Sequence, residues 1–424
     1  MLSRPIRGMK DLCGVELEKY IYVIARARRI AEKYGYTQIK TPILEYTDVF
    51  LRSIGDETDV VSKEMYTFID KGGESLTLRP EGTAGVMRAI ASRNLAQQLP
   101  LKLMYFGEMF RYDRPQRGRF RQFHQLGFEH IGDKSPFTDA IMIAMAVEIL
   151  SSVGIFDIKV LVNTLGDDET RENYTKAIVK FFSRNEEALS DESKIRLKKN
   201  PLRILDSKDA GDREICAMAP LIADYLSKDS GKYFETVCKL LVGYGLNYEV
   251  DSFLVRGLDY YTHTTFELKA TSANYKDSLG GGGRYDKLLG LFGDQDVSGI
   301  GFAFGMERIM LLINDDSFGK TQKKVCVIPV CDNENNAAFE LFKLLQNCDL
   351  NAEFLHIGNL TKKMKVAGRM GCEMALIIGE TELKNGVITV KFMNKPDDGS
   401  KTKLIDKNQI AQFVKCSIGE LSWR

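Results

Sequence analysis

The sequence predicts an α+β protein: an antiparallel or mixed sheet domain with a helical insertion, followed by a smaller α/β domain. Three observations carry this. Between residues 75 and 131, strand-like runs (SLTLRP, LKLMYFGEMFRY, RQFHQLGFEHI) enclose one helical stretch, TAGVMRAIASRNLA, whereas a doubly wound sheet alternates strand and helix regularly. Residues 167–248 are rich in charge (RENYTKAIVKFFSRNEEALSDESKIRLKK) and read as helices with polar faces, an insertion into the first domain. Past residue 324 the pattern turns to alternating strand and helix. A chain of 424 residues is also too long for one ordinary core.

The elements follow in order. Residues 15–34 (VELEKYIYVIARARRIAEKY) place apolar side chains at helical spacing, and Gly35 supplies the stop. TQIKTPILE reads as a strand interrupted by Pro42. After the insertion, strand-like text returns in FLVRGLDYYTHTTFEL, and SGIGFAFGMERIMLLI reads as strand then helix. NDDSFGKTQKK, residues 314–324, is polar and uncommitted, a linker dividing a domain over 1–320 from one over 323–424. In the latter, VCVIPV, NNAAFELFKLLQN, AEFLHIG, LTKKMKVAGRMG, MALIIG and VITVKFM run β, α, β, α, β, β, a small and mostly parallel α/β domain.

Composition narrows the function classes. Hydrophobic residues at 44% and charged residues at 28% fit a soluble globular chain. MLSRPIRGMKDLCG lacks an apolar core, so no secretory signal is expected, and no run of roughly 18 apolar residues suggests a membrane span. A cytoplasmic protein is the expectation. The eight cysteines (Cys13, Cys216, Cys238, Cys326, Cys331, Cys348, Cys372, Cys416) form no CxxC pair, and with only four histidines a zinc site is not expected. Net charge is +1, so any RNA affinity must come from local basic patches.

Five stretches carry chemistry. FGEMFRYDRPQRGRFRQFHQLGFE, residues 106–129, holds Arg114, Arg117, Arg119 and Arg121 in a loop between two strand-like arms. Such a tip alone is an ordinary solvated edge, but strand alternation puts Phe123, Gln125, Gly127 and Glu129 on one face. That face reads as a floor for a polar small molecule, with Gly127 leaving room. Arg111, ending the facing arm, reaches over it with a fork suited to phosphate or carboxylate. In TLRPEGTAG, residues 77–85, Thr83 is suited to capping a helix and Glu81 to binding a cationic amine. LVRGLDYYTHTTFE, residues 254–267, offers Arg256, Asp259, Tyr260 and Tyr261, though a tyrosine-rich strand alone is ordinary core. SLGGGGRYDKL, residues 278–288, allows close backbone approach by a ligand or is a flexible surface turn; without GxxxxGK[ST] it is no P-loop. In SGIGFAFGMERIMLL the glycines miss the dinucleotide spacing, and Arg308 falls in the first turns of a helix, where a cation and backbone N–H groups can meet a phosphate.

In this order the stretches resemble one family. TPILEYTDVF is similar to motif 1 of class II aminoacyl-tRNA synthetases, FRYDRPQRGRFRQFHQLGFE to motif 2 and GIGFAFGMER to motif 3. LVRGLDYYTHTTFE and GGGRYD resemble strings peculiar to histidyl-tRNA synthetases, and EMYTF and LRPEGT fit the same family. The resemblance spans nearly the whole chain. It implies a class II catalytic domain and a C-terminal anticodon-binding domain, a homodimer formed through motif 1, and L-histidine, ATP and tRNA(His) as partners. Within it, the histidine ammonium would meet Glu81, Thr83 and Gln125, and the imidazole Glu129 with the hydroxyls of Tyr261 and Tyr285 and Tyr260 beside them. A carboxylate and a phenol match the one donor and one acceptor of neutral imidazole. Arg111 would hold the ATP α-phosphate, Arg308 the γ-phosphate and Phe123 the adenine, with Arg119 and Phe120 closing over the nucleotide. Arg256 would be the key cation at the α-phosphate, where other class II enzymes put a metal; Mg²⁺ would accompany ATP through ligands the sequence does not name. Arg114, Gln116 and Arg117 would meet the tRNA acceptor end, and Lys362, Lys363, Lys365 and Arg369 its phosphates in the second domain. The insertion would lean on the acceptor stem.

Two other readings compete. A regulatory relative on the same scaffold is expected to have lost the ATP arginines and often the anticodon domain, whereas Arg111, Arg256 and Arg308 are present. A Rossmann oxidoreductase fails on the glycine spacing.

Overall fold

Pro42, with no N–H to give a ladder, divides the extended segment after the first helix into two strands that join different sheets. The computed structural model describes residues 4–55, 58–255, 258–271, 277–293, 295–314, 323–394 and 401–418. In it α1 (Gly14–Lys33) buries Val23, Ala27, Ile30 and Ala31 at helical spacing and ends ahead of Gly35, whose φ of +78° suits glycine. There follow β1 (Thr37–Gln38), β2 (Leu44–Tyr46), α2 (Thr47–Ile54), β3 (Tyr66–Ile69), β4 (Ser75–Leu78) and α3 (Thr83–Ser92). The hairpin β5 (Leu101–Phe110) and β6 (Gln122–Ile131) leads to α4 (Pro136–Ser152) and β7 (Ile158–Thr164).

The charged stretch forms α5 (Asp168–Arg184), α6 (Asp191–Lys199), α7 (Ala210–Cys216) and α8 (Lys228–Gly243). Asp167, Ser190, Asp209 and Ser227 start them, each side chain accepting from a backbone N–H of the first turn. The first three share a small core with Tyr174, Ile178, Phe182, Leu197 and Ile204. The last differs from the expectation of one insertion over 167–248: α8 packs Val237 and Leu241 into the core beneath the main sheet.

β8 (Tyr248–Val250), β9 (Thr262–Ala270), β10 (Ser278–Arg284), β11 (Gly299–Gly305) and the short α9 (Met306–Met310) complete this unit. Its eight-stranded sheet runs β1-β5-β6-β11-β10-β9-β7-β8. Only the outer pairs, β1 with β5 and β7 with β8, are parallel; every inner pair is antiparallel. One face turns Leu126, Phe128, Phe266, Phe302 and Phe304 onto α1 and α4. β2, β4 and β3 form a separate small sheet. The glycines of SLGGGGRYDKL do not form a turn: they form central strand β10, and a Cβ at Gly282 would strike the Gly301 carbonyl oxygen.

The chain divides into two compact units, Met1–Phe318 and Gly319–Arg424. The second contains β12 (Lys324–Pro329), α10 (Asn335–Asn347), β13 (Ala352–Phe354), α11 (Leu360–Arg369), β14 (Cys372–Ile378), α12 (Glu380–Asn385), β15 (Val387–Phe392), β16 (Thr402–Asp406) and α13 (Ile410–Ile418). Its sheet, β13-β12-β14-β15-β16, is mixed and not mostly parallel. β13, β12 and β14 are parallel, but the short β14–β15 and β15–β16 connections force antiparallel pairing.

Candidate active site

Register builds the site. On the sheet face opposite the core, Tyr105 lies across from Gly127, Gly127 from Ala303, Ala303 from Gly281, and Gly281 from Glu267. Ala303 and Gly281 in the middle of that row leave a trough. A cavity of about 430 Å³ occupies it, lined by Tyr105, Gly281, Ala303 and Glu267 and walled by residues from β4–α3, the β5–β6 loop and residues 258–261.

Two buried carboxyls lie at the trough. Glu81 precedes α3 and caps it: Oε2 accepts from the Thr83 N–H at 2.7 Å and Oε1 from the Ala84 N–H at 2.7 Å. The cap is therefore Glu81 and not Thr83, because Thr83 is already the first helical residue and turns its hydroxyl to Glu129 Oε1 at 2.7 Å. Burial raises the Glu81 carboxyl above the ordinary glutamate range against the pull of those N–H groups and Arg111. Glu129 is fully buried behind the cavity wall, not on its surface; Tyr285 donates to its Oε2. Burial pushes its carboxyl up to about 8, while the Tyr285 and Thr83 hydroxyls hold it down. A Cβ at Gly301 would collide with that carboxylate, so the glycine makes its space. The rings of Tyr260 and Tyr261 are 4.6 Å apart and those of Tyr260 and Tyr285 5.7 Å, an aromatic wall lining the same cavity.

The same cavity also carries cationic and aromatic side chains. Arg111 donates from Nε to the Pro80 carbonyl at 2.8 Å, and its guanidinium lies 5.5 Å from the Phe123 ring centroid. Arg308 donates to the Ser278 carbonyl at 2.6 Å. Both line the cavity, with Arg119, Phe120 and Gln125. Arg119 pairs with Asp113 at 3.5 Å, and Gln116 and Arg119 exchange backbone hydrogen bonds around Gly118, closing a tight turn. Arg114, Gln116 and Arg117 are exposed on that turn.

Some expectations change. The space above Gly127 is not open to a ligand, since Tyr105 fills it. Lys363 is not a surface cation: it is 2% exposed and donates to the Pro329 carbonyl at 2.8 Å. Its position three residues after Leu360 and four before Ala367 put it on the buried face of α11, a signal the spacing carried. Lys362, Lys365 and Arg369 are exposed. Arg256 lies outside the described residues. Three participants were missed. Tyr105 lines the cavity. Glu307 accepts from the His124 backbone N–H at 3.0 Å and lies 2.7 Å from its Nδ1, tying α9 to β6. Arg203 of the insertion donates to Asp259 at 3.0 Å, holding the stretch that carries Tyr260 and Tyr261. Only the strand opposition of residue 105 to Gly127 was readable in advance; the other two are long-range pairings.

A sheet of inner antiparallel strands bearing a trough that brings buried carboxyls and arginines together is the class II aminoacyl-tRNA synthetase arrangement that the motifs resemble. Residues 8–309 match the histidyl-tRNA synthetase family model, and residues 324–417 that of the anticodon binding domain. A histidine–tRNA ligase of Rhodospirillum rubrum is 42% identical over 412 residues, 97% of this chain and 99% of the relative. One from Gluconacetobacter diazotrophicus is 44% identical, covering 95% and 96% of the two chains. The apo structure of S. aureus histidyl-tRNA synthetase superposes with a TM-score of 0.80 at 34% identity, covering 97% of this chain and 99% of that one. The chain belongs to the histidyl-tRNA synthetase family.

Proposed function

We propose that this protein activates L-histidine with ATP, forming histidyl-adenylate and pyrophosphate, and transfers histidine to the 3′ end of tRNA(His). The observation that carries this reading is one trough that brings buried Glu81, with Glu129 behind its wall, together with Arg111 and Arg308. The histidine ammonium binds Glu81, whose oxygens keep lone pairs beyond the two helix N–H groups, with Thr83 and Gln125 beside it. Gln125 Oε1 is buried without a hydrogen-bond partner, as expected of a group awaiting a donor. The imidazole reaches Glu129 through the wall of Thr83, Tyr261 and Tyr285.

Adenine stacks on Phe123, while Arg111 takes the α-phosphate, Arg308 the γ-phosphate, and Arg119 and Phe120 cover the nucleotide. The histidine carboxylate attacks the α-phosphorus in line and pyrophosphate leaves, with cations stabilising the spread charge. Arg256 is assigned to the α-phosphate on its place in the LVRGLDYY string. Mg²⁺ would accompany ATP, and the cavity carboxylate Glu267 would suit a cation held mostly by phosphates and water. In the second step the terminal ribose hydroxyl of the tRNA attacks the adenylate carbonyl and AMP leaves. Arg114, Gln116 and Arg117 meet the acceptor end, and Lys362, Lys365 and Arg369 phosphates near the anticodon. The reading includes a cytoplasmic homodimer, supported by exposed Ile43, Leu44, Tyr46, Phe68 and Ile69 on and beside the small sheet.

ATP–pyrophosphate exchange with each of the twenty amino acids tests it. Exchange with histidine alone is expected. Exchange with another amino acid overturns the imidazole assignment, and none with any transfers the protein to a regulatory role.

A further inference from the structure

Beside the buried carboxyls lies a residue with no assigned part. The Tyr105 ring is wedged between two glycines: a Cβ at Gly82 would run into its Cε2, and one at Gly127 into its Cζ. The side chain is 4% exposed yet lines the cavity. Its hydroxyl is buried beside Thr83 and both buried carboxyls but completes no full hydrogen bond with them. A buried hydroxyl short of a full hydrogen bond is costly, so its retention there calls for a bond that completes in another state of the site.

The groups facing Glu129 identify that partner. They are Glu81 from the start of α3, Tyr105 from β5, Tyr285 after β10, Tyr36 ahead of β1 and Tyr260. None is a cation. A Glu129 carboxylate that accepts from an imidazole N–H must be held ionised by neutral donors alone, and Thr83 and Tyr285 already supply two. We propose that Tyr105 is a positioning residue for histidine selection: its phenol, fixed between Gly82 and Gly127, supplies the third hydroxyl donor to Glu129 when an imidazole docks. Tyr105 thus acts through Glu129, and the two glycines exist to seat its ring. The idea rests on histidine being the substrate.

Tyr105→Phe keeps the ring and removes only the hydroxyl. In ATP–pyrophosphate exchange its KM for histidine should rise about tenfold at pH 7, with kcat changed less than about twofold, because one hydrogen bond to a charged group is lost. With one donor fewer, Glu129 ionises at higher pH, so the deficit should shrink toward pH 9. Without histidine the variant should melt close to the wild-type temperature, since no fully formed bond of the empty site is removed; with histidine its stabilisation should be smaller. Gly127→Ala, which displaces the ring, should raise KM at least as much. A KM for Tyr105→Phe that tracks wild type at every pH, with equal stabilisation by histidine, overturns the proposal and leaves Tyr105 a space-filling wedge. Wild type failing to exchange with histidine refutes the substrate reading instead, so the two failures are separable.

Discussion

Glu129 shows how one buried group ties stability to the recognition proposed for it. Its carboxyl titrates near 8 because burial penalises the charged form, against an ordinary value of 4.5. A folded-state value above the unfolded one means that the stability linked to the bound proton is complete below about pH 4.5 and is lost as pH rises through about 8. Glu129→Gln, neutral throughout, should therefore gain on wild type between pH 5 and pH 9, by more than about 1 kcal/mol at the alkaline end. The same variant should lose histidine-dependent exchange by roughly 100-fold or more, since its amide cannot serve as the ionised acceptor. Thermal melts at pH 5, 7 and 9 check the first part; a constant offset would mean the carboxyl is not neutral in the empty site. At this scale the sequence was informative about residue type and silent about depth. Alternation put Glu129 on the same face as Gln125, but Gly301, which makes room for its carboxylate, comes from a strand 170 residues later and cannot be matched to it by local pattern.

Elements explain which residues of a motif can act. On α11 the apolar positions Leu360, Met364 and Ala367 turn inward, and Lys363 goes with them to the Pro329 carbonyl, while Lys362 and Lys365 remain exposed. Lys363→Ala should destabilise the C-terminal unit by roughly 1–3 kcal/mol, because a buried carbonyl loses its donor. Lys362→Ala and Lys365→Ala should leave stability within about 0.5 kcal/mol and instead raise the KM for tRNA and flatten its salt dependence. Denaturant melts beside charging at two salt concentrations separate them; equal effects of all three would return Lys363 to the surface set. Strand β10 makes a related point. Glycine-rich text reads equally as turn or strand, and what decides is the backbone of β11 pressed against it. Gly282→Ala should cost more than about 3 kcal/mol, enough to abolish soluble expression at 37 °C, because a fixed carbonyl and not a movable side chain meets the new Cβ.

For the molecule as a whole, the alternation of strand and helix was enough to separate an antiparallel catalytic unit from an α/β unit, since periodicity and connection length are local properties. The mixed sheet of the second unit was less legible: β16 is exposed along most of its length and so lacks a buried period. The insertion was legible as helices, but α8's attachment to the main core depends on Val237 and Leu241 meeting α4 and β9 at a distance. Each unit has its own hydrophobic cluster: Phe128, Phe266 and Phe302 in the first, and Val325, Leu341, Leu376 and Val390 in the second. Every residue lining the candidate active site belongs to the first. The adenylation chemistry should accordingly survive without the second unit. A chain ending near residue 320 should fold and retain histidine-dependent ATP–pyrophosphate exchange within about tenfold of the whole protein, because it keeps its core and every proposed substrate contact. Transfer to tRNA should fall by a larger factor, since the phosphate contacts proposed for α11 are gone and RNA affinity depends on their number. Parallel measurement of exchange and charging on the truncated chain decides this: loss of both in a folded protein would show that the second unit helps organise the catalytic site, and retention of both would remove α11 from the tRNA interface.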